Sequence, residues 1–189
     1  MTDLHEVVQQ CLRNNPKAQK ILYESFAPAM LGVCYRYATQ EAEAHDMLQE
    51  GFVRVFRKLE QWRGEGELGA WIRRIMVHSA LNWLRDHHKM KLTDIQQVHE
   101  NHLPVAEAGA IPALQAKDLA NMLQQLPAGY RAVFNLFAVE GMSHAEIAEM
   151  LQVTESTSRS QYLRARRMLG QWLEDAQKTK KSTYAGTDR

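Results

Sequence analysis

The strongest constraint on what this chain can fold into is the three-and-four spacing of its apolar residues. Ala44, Leu48, Phe52, Val55, Phe56 and Leu59 follow that spacing, and Leu68, Trp71, Ile72, Ile75, Ser79 and Trp83 repeat it. Side chains so spaced line one face of an α-helix, whereas a half-buried strand requires strict alternation. The chain therefore reads as all-α. Composition agrees, because only 10 Gly and 5 Pro interrupt 189 residues dominated by good helix formers.

Local signals divide the chain. Asn15-Pro16 is a cap residue followed by a proline at the first helical position, where its missing N–H costs nothing. Leu22 and Phe26 continue that helix, Pro28 is expected to break or restart it, and Val33 and Tyr37 resume the apolar side. The segment Trp62-Arg63-Gly64-Glu65-Gly66-Glu67 is a loop, since two glycines stand within three residues. A long helix over 68–88 then carries Arg74, His78 and Arg85 away from its apolar stripe. Between about Met90 and Lys117 the periodicity disappears, Pro104 and Pro112 enter and the charge turns acidic, which predicts a flexible linker over 91–117. Helical signals return over 118–126 and 130–139, separated by Pro127 and ended by Gly141. The expectation is two small helical domains, 1–90 and 118–174, with a polar, basic and disordered tail over 175–189.

With 23 Lys+Arg against 22 Asp+Glu, the net charge is +1, so any affinity for nucleic acid depends on where the charges sit. No stretch approaches the roughly 18 apolar residues of a membrane helix, and the first residues are acidic where a signal peptide would be basic. A soluble, cytoplasmic protein with no membrane insertion is expected. Cys11 and Cys34 fit neither a disulfide framework nor a zinc finger and are assigned to the core.

The most informative constellation lies near the C-terminus. Ser143-His144-Ala145-Glu146 has the form of a capping box, so a short helix should run to Leu151. Gln152-Val153-Thr154 then lead into a longer helix from Glu155 to about Leu173, the arrangement of a helix-turn-helix. On a wheel, Ser158, Tyr162, Ala165, Leu169 and Trp172 share one side, while Ser156, Arg159, Ser160, Leu163, Arg164 and Arg167 share the other. The second set suits DNA: arginines for guanine edges or phosphates, hydroxyls for either, and a leucine for a thymine methyl. The competing reading is a solvated basic face.

The run from Gln49 to Leu59 (QEGFVRVFRKL), then Trp62-Arg63-Gly64, Trp71-Ile72 and Thr154 to Arg166 (TESTSRSQYLRAR), resembles the extracytoplasmic-function group of bacterial sigma factors, in the sigma-70 family. The resemblance spans residues from about Ala18 to Trp172 apart from the linker. It implies a region 2 helical bundle and a region 4 helix-turn-helix that dock on RNA polymerase core and recognise the minus-ten and minus-thirty-five promoter elements. It assigns Asp46, Gln49 and Glu50 to the clamp of the polymerase's largest catalytic subunit; acidic and amide groups suit an arginine-rich partner helix. It places Trp62 and Arg63 at a flipped non-template base, with Arg74, His78 and Arg85 toward backbone or duplex. Trp62 also fits a packing role that anchors the loop. An anti-sigma protein is the implied regulator, and the free chain is expected to be a monomer.

The chain departs from the family pattern at several positions. His78 stands where asparagine is usual, and Ser156, Ser158, Gln161 and Tyr162 replace glycine, valine, arginine and an aliphatic residue. His78 and Gln161 are expected to alter base reading or phosphate contact, and Ser158 to reflect repacking. Two rivals remain. His45-Asp46 resembles the metal-binding pair of helical phosphohydrolases, but adjacent residues point about 100° apart and no second matched pair exists, so no catalytic residue, metal or cofactor is expected. A conventional helix-turn-helix regulator, dimeric on palindromic DNA, would explain the C-terminal half but not the loop and basic helix of the N-terminal half.

Overall fold

A computed structural model describes the backbone of residues 4–87 and 116–185, and the side chains of 4–87 and 121–176. The chain separates into two compact units, Met1–Lys89 and Met90–Arg189. Residues 91–115 of the expected linker lie outside the described residues, and 116–117 already belong to a helix.

The N-terminal unit contains α1 (Leu4–Leu12), α2 (Pro16–Tyr35), α3 (Glu41–Lys58) and α4 (Leu68–His87), with a 3-10 turn over Leu59–Gln61. Asn15 caps α2 as expected: its Oδ1 accepts from the N–H groups of Lys17 at 2.9 Å and Ala18 at 3.4 Å. The helix α1 was not anticipated, yet Val7, Val8 and Cys11 are buried and α1 packs on α2. Pro28 does not break α2, which runs through it. The proline is exposed, so the carbonyl of Glu24 that loses its amide partner can turn to water, while Ala27 and Met30 stay buried on the opposite side.

Both α2 and α3 pack on α4, which explains why its buried face is wider than one stripe. Met76, Val77, Ala80, Leu81 and Leu84 join Leu68, Ile72, Ser79 and Trp83 inside, whereas Trp71 and Ile75 remain half-buried. Gly51 gives its place to the Met76 side chain of α4, because a Cβ there would strike the sulfur of buried Met76.

The C-terminal unit contains α5 (Ala116–Gln125), α6 (Ala128–Phe134) continued by a π-type turn over Asn135–Val139, α7 (His144–Leu151) and α8 (Glu155–Ala185). Leu123, Leu126, Tyr130 and Phe134 meet Ala165 and Leu169 of α8 in its core, flanked by Tyr162 and Trp172. Gly141, at φ +71°, makes the left-handed turn after the π segment. The capping box forms in full: Ser143 Oγ accepts from the Glu146 N–H at 3.3 Å, and the Ser143 N–H donates to Glu146 Oε2 at 2.8 Å. Ser143→Ala removes one half of it, so this unit should lose about 1 kcal/mol, measured as a lower urea midpoint.

Of the tail expected to be disordered over 175–189, residues 175–185 are helical, since α8 continues to Ala185 instead of ending near Leu173, and 186–189 lie outside the described residues. No glycine or proline stands between Gln171 and Ala185, and the polar residues there include Glu174, Gln177, Lys178, Lys180 and Lys181, which are good helix formers. Polarity alone does not stop a helix already nucleated on a packed core.

Candidate functional site

On α3, Asp46 and Gln49 are exposed and Glu50 is half-buried, all on the side away from buried Met47, Leu48 and Gly51. Glu50 Oε2 lies 3.7 Å from Arg54 Nη2, an exposed i,i+4 pair of small energetic weight. Val53, 48 % exposed, continues the same face one turn beyond Gln49 and Glu50. The sequence reading missed it, since a single exposed apolar residue is ordinary on a protein surface and gives no signal by itself.

The loop after α3 turns through Gly64 at φ +78° and Gly66 at φ +73°, conformations that other residues rarely adopt. Trp62 is half-buried at its base, its ring centroid 6.3 Å from that of His5 in α1. Its indole N–H is buried and meets no acceptor among the described residues. Trp62 therefore anchors the loop, while Arg63 is exposed. Arg74, His78 and Arg85 are exposed along α4, with Arg85 hydrogen-bonded to Asn82. Partial burial, then the charges of Arg74 and Lys58, push the His78 imidazole below the usual histidine range. His87 lies flat on Trp83, ring centroids 4.2 Å apart, with Nδ1 3.0 Å from the Trp83 carbonyl oxygen.

The outer side of α8 presents Ser156, Arg159, Leu163 and Arg167 to solvent, and Leu163 is 53 % exposed. Ser160 and Arg164 are half-buried: Ser160 Oγ donates to the Thr157 carbonyl at 2.9 Å, and Arg164 Nη1 lies 3.5 Å from the Tyr130 hydroxyl. Arg159 pairs with Glu155. Arg166, which the sequence reading left out, sits with its guanidinium carbon 5.8 Å from the Tyr162 ring centroid.

Gln161 corrects an expectation. It is fully buried, with neither amide atom partnered among the described residues, and so cannot touch a base or a phosphate. Ser158 is also fully buried, and its Oγ lies 2.9 Å from Nδ1 of His144 at the start of α7. Burial and Arg159 push His144 below the usual range, with Glu155 opposing.

These two shifts predict a pH dependence. A histidine whose folded pKa lies below its unfolded value of 6.5 binds fewer protons folded than unfolded, so its contribution is complete above pH 6.5 and is lost as pH falls through the folded pKa. Melting temperature should be level above neutrality on this account and decline below about pH 6.5, in both units. Domain-resolved thermal unfolding between pH 8 and 5 tests this.

Comparison with known proteins gives the same partition. The family descriptions "Sigma-70 region 2" and "Sigma-70, region 4" match residues 22–90 and 116–169. The RNA polymerase sigma-H factor of Pseudomonas aeruginosa is 27 % identical over 179 residues, covering 89 % of this chain and 93 % of that one. The ECF RNA polymerase sigma-E factor of Haemophilus influenzae is 24 % identical over 173 residues, covering 86 % and 91 %. In fold, the chain is similar to a sigma factor from Bartonella quintana co-crystallised with the anti-sigma factor NepR, with TM-score 0.52, 21 % identity, and coverage of 82 % and 96 %. The two matched regions together span most of the chain, which belongs to the sigma-70 family: it is an RNA polymerase sigma factor, which binds core polymerase and directs promoter-specific initiation. The stand-alone regulator is not favoured, because it leaves the region 2 match without a role. No helix among the described residues is long and apolar enough to cross a membrane.

Proposed function

We propose that the three exposed faces divide the work of a dissociable specificity subunit. Asp46, Gln49 and Glu50 bind the clamp of the polymerase's largest catalytic subunit. The loop held by Trp62, with Arg63, takes the minus-ten element, and Arg74, His78 and Arg85 hold its backbone. Ser156, Arg159, Ser160, Leu163, Arg164 and Arg167 enter the major groove of the minus-thirty-five element, where arginines supply both affinity and base reading. The observation that carries this reading is the cationic, leucine-bearing outer side of α8, held behind a capped helix and a short turn in the part of the chain that matches region 4.

On this reading the chain catalyses nothing itself and works in the cytoplasm, where the polymerase is. An anti-sigma protein regulates it by covering the polymerase-binding surfaces; the Bartonella relative solved with NepR supports that assignment. The test is transcription in vitro by purified core polymerase on sheared genomic DNA, with and without the chain, followed by sequencing of RNA 5′ ends. New starts sharing two upstream motifs are expected. No new starts, together with a stable dimer on palindromic DNA, would return the conventional regulator.

Arg164→Ala should weaken minus-thirty-five recognition by about 1–3 kcal/mol if the side chain leaves Tyr130 to make a good base contact. Competition binding against shuffled sites reads this, and an equal loss on every sequence would assign Arg164 to a phosphate instead.

A further inference from the structure

His144 lies outside every surface assigned above, yet it meets both the segment before α7 and the helix after it. It occupies the first position of α7. Its ring stacks on Phe137, centroids 4.3 Å apart and planes 12° from parallel, and meets Tyr162 of α8 edge-on at 5.9 Å. Phe137 and Tyr162 in turn touch each other, at 4.5 Å between centroids. The imidazole therefore completes a three-ring cluster joining the middle of the π segment, the start of α7 and the second turn of α8. Its Nδ1 adds a polar bond to Ser158, one turn before Tyr162 and next to Arg159.

We infer that His144 is a positioning residue for promoter reading: by stacking on Phe137 and sharing a proton with buried Ser158, it sets the angle at which α8 leaves the turn, and hence the aim of Arg159 and Leu163. This rests on the reading of α8 as the minus-thirty-five surface. It also accounts for two departures from the family pattern together, since Ser158 and Tyr162 both meet His144.

The pair is sensitive to protonation. A neutral imidazole can accept at Nδ1 the hydroxyl proton of Ser158, whereas an imidazolium donates from both nitrogens and forces the hydroxyl to turn its lone pair toward the ring. The charged groups facing the ring come from α8: Arg159 disfavours the cation and Glu155 favours it. Tyr162 of α8 brings its phenol edge-on to the ring, and Phe137 of the π segment an uncharged face. The N-terminal end of α7 also disfavours positive charge. Acidification should therefore loosen the aim of α8.

The experiment compares initiation by the full chain with core polymerase on two promoters that share a minus-ten element, one with the intact and one with a scrambled minus-thirty-five element. The readout is the ratio of the two. His144→Phe keeps the ring and deletes the bond to Ser158; His144→Asn keeps an acceptor near the place of Nδ1 and deletes the ring. For His144→Phe the ratio should fall about tenfold, the scale of one lost base contact, with the scrambled promoter unaffected. For His144→Asn it should recover in part. The wild-type ratio should hold from pH 7.5 to 6.5 and decline as pH falls from there to 5, because His144 takes up its proton only below the usual histidine range, and that of His144→Phe should stay level. An unchanged ratio in His144→Phe overturns the inference. If His144→Phe fails to melt cooperatively, the wild-type pH series decides, and a level series overturns the inference. A wild-type ratio of one at every pH overturns the reading of α8 itself, a different result from a wild-type preference that survives substitution of His144.

Discussion

Charge reversal at Glu50 (Glu50→Arg) should abolish binding to core polymerase while leaving the chain folded. Both halves of this expectation follow from where Glu50 sits. Its carboxylate is half-exposed, and its ion pair with Arg54 spans 3.7 Å at an i,i+4 spacing, so the folded chain derives little from it. Reversal costs a few tenths of a kcal/mol through like-charge repulsion along α3. At an interface the arithmetic differs, because a charge desolvated against a cationic partner is worth about 2–5 kcal/mol when truncated, and reversal adds repulsion. Exposed Val53 beside it would shield the pair from water. Anisotropy titration of labelled chain with core polymerase measures the first quantity and thermal melting the second. Unchanged affinity would remove α3 from the clamp interface. A collapsed melt would show that Glu50 holds the unit together.

The same helix shows which parts of the molecule could be read without coordinates. Signals whose physics is complete within four or five residues transfer directly: the Asn15 cap, the Ser143–Glu146 box and the glycine turns at Gly64, Gly66 and Gly141 all form as their residue types dictate. The outer faces of α3 and α8 were legible because a helical wheel needs only periodicity. Failures occur where the deciding partner is distant in sequence. Pro28 interrupts nothing because it faces water, and nothing local says which way it faces. Gln161 appears polar and available, but at three residues from Ser158 and four from Ala165 it falls inside the arc that α8 buries. Trp62 suits a base pocket by its chemistry, and only the packing of α1 shows that its indole N–H points inward. The helix α1 satisfies the apolar spacing with Leu4, Val7, Val8 and Cys11, but nine residues are too few to be stable without α2 to pack on. His144 went unnoticed because its role is a relation between two helices.

Arg131 is the second residue at which a single substitution should have a large effect, here on stability. It is only 1 % exposed and is the largest fully buried side chain among the described residues, in a unit whose core is otherwise mainly apolar. Its Nη1 donates at 2.9 Å to the carbonyl of Gln124, in the last turn of α5, where helix carbonyls lack amide partners and the helix dipole favours a cation. Arg131→Ala removes the donor and leaves a large void, and these losses together should cost the C-terminal unit about 3–5 kcal/mol. Arg131→Met keeps most of the volume and forfeits the polar interactions of the guanidinium, the bond to Gln124 among them, while relieving the cost of holding a cation out of water, so it should cost clearly less. The two variants separate packing from polarity. Because the chain folds as two units, only the transition of the C-terminal unit should move in a denaturant titration followed by residue-resolved NMR, with residues 4–87 unfolding at the wild-type midpoint. If Arg131→Met were as damaging as Arg131→Ala, the hydrogen bond to Gln124 would be what ties α5 to α6. If neither shifted the midpoint, neither the volume of Arg131 nor its bond to Gln124 would contribute to the stability of the unit, and α5 would be held by Leu123 and Leu126 alone.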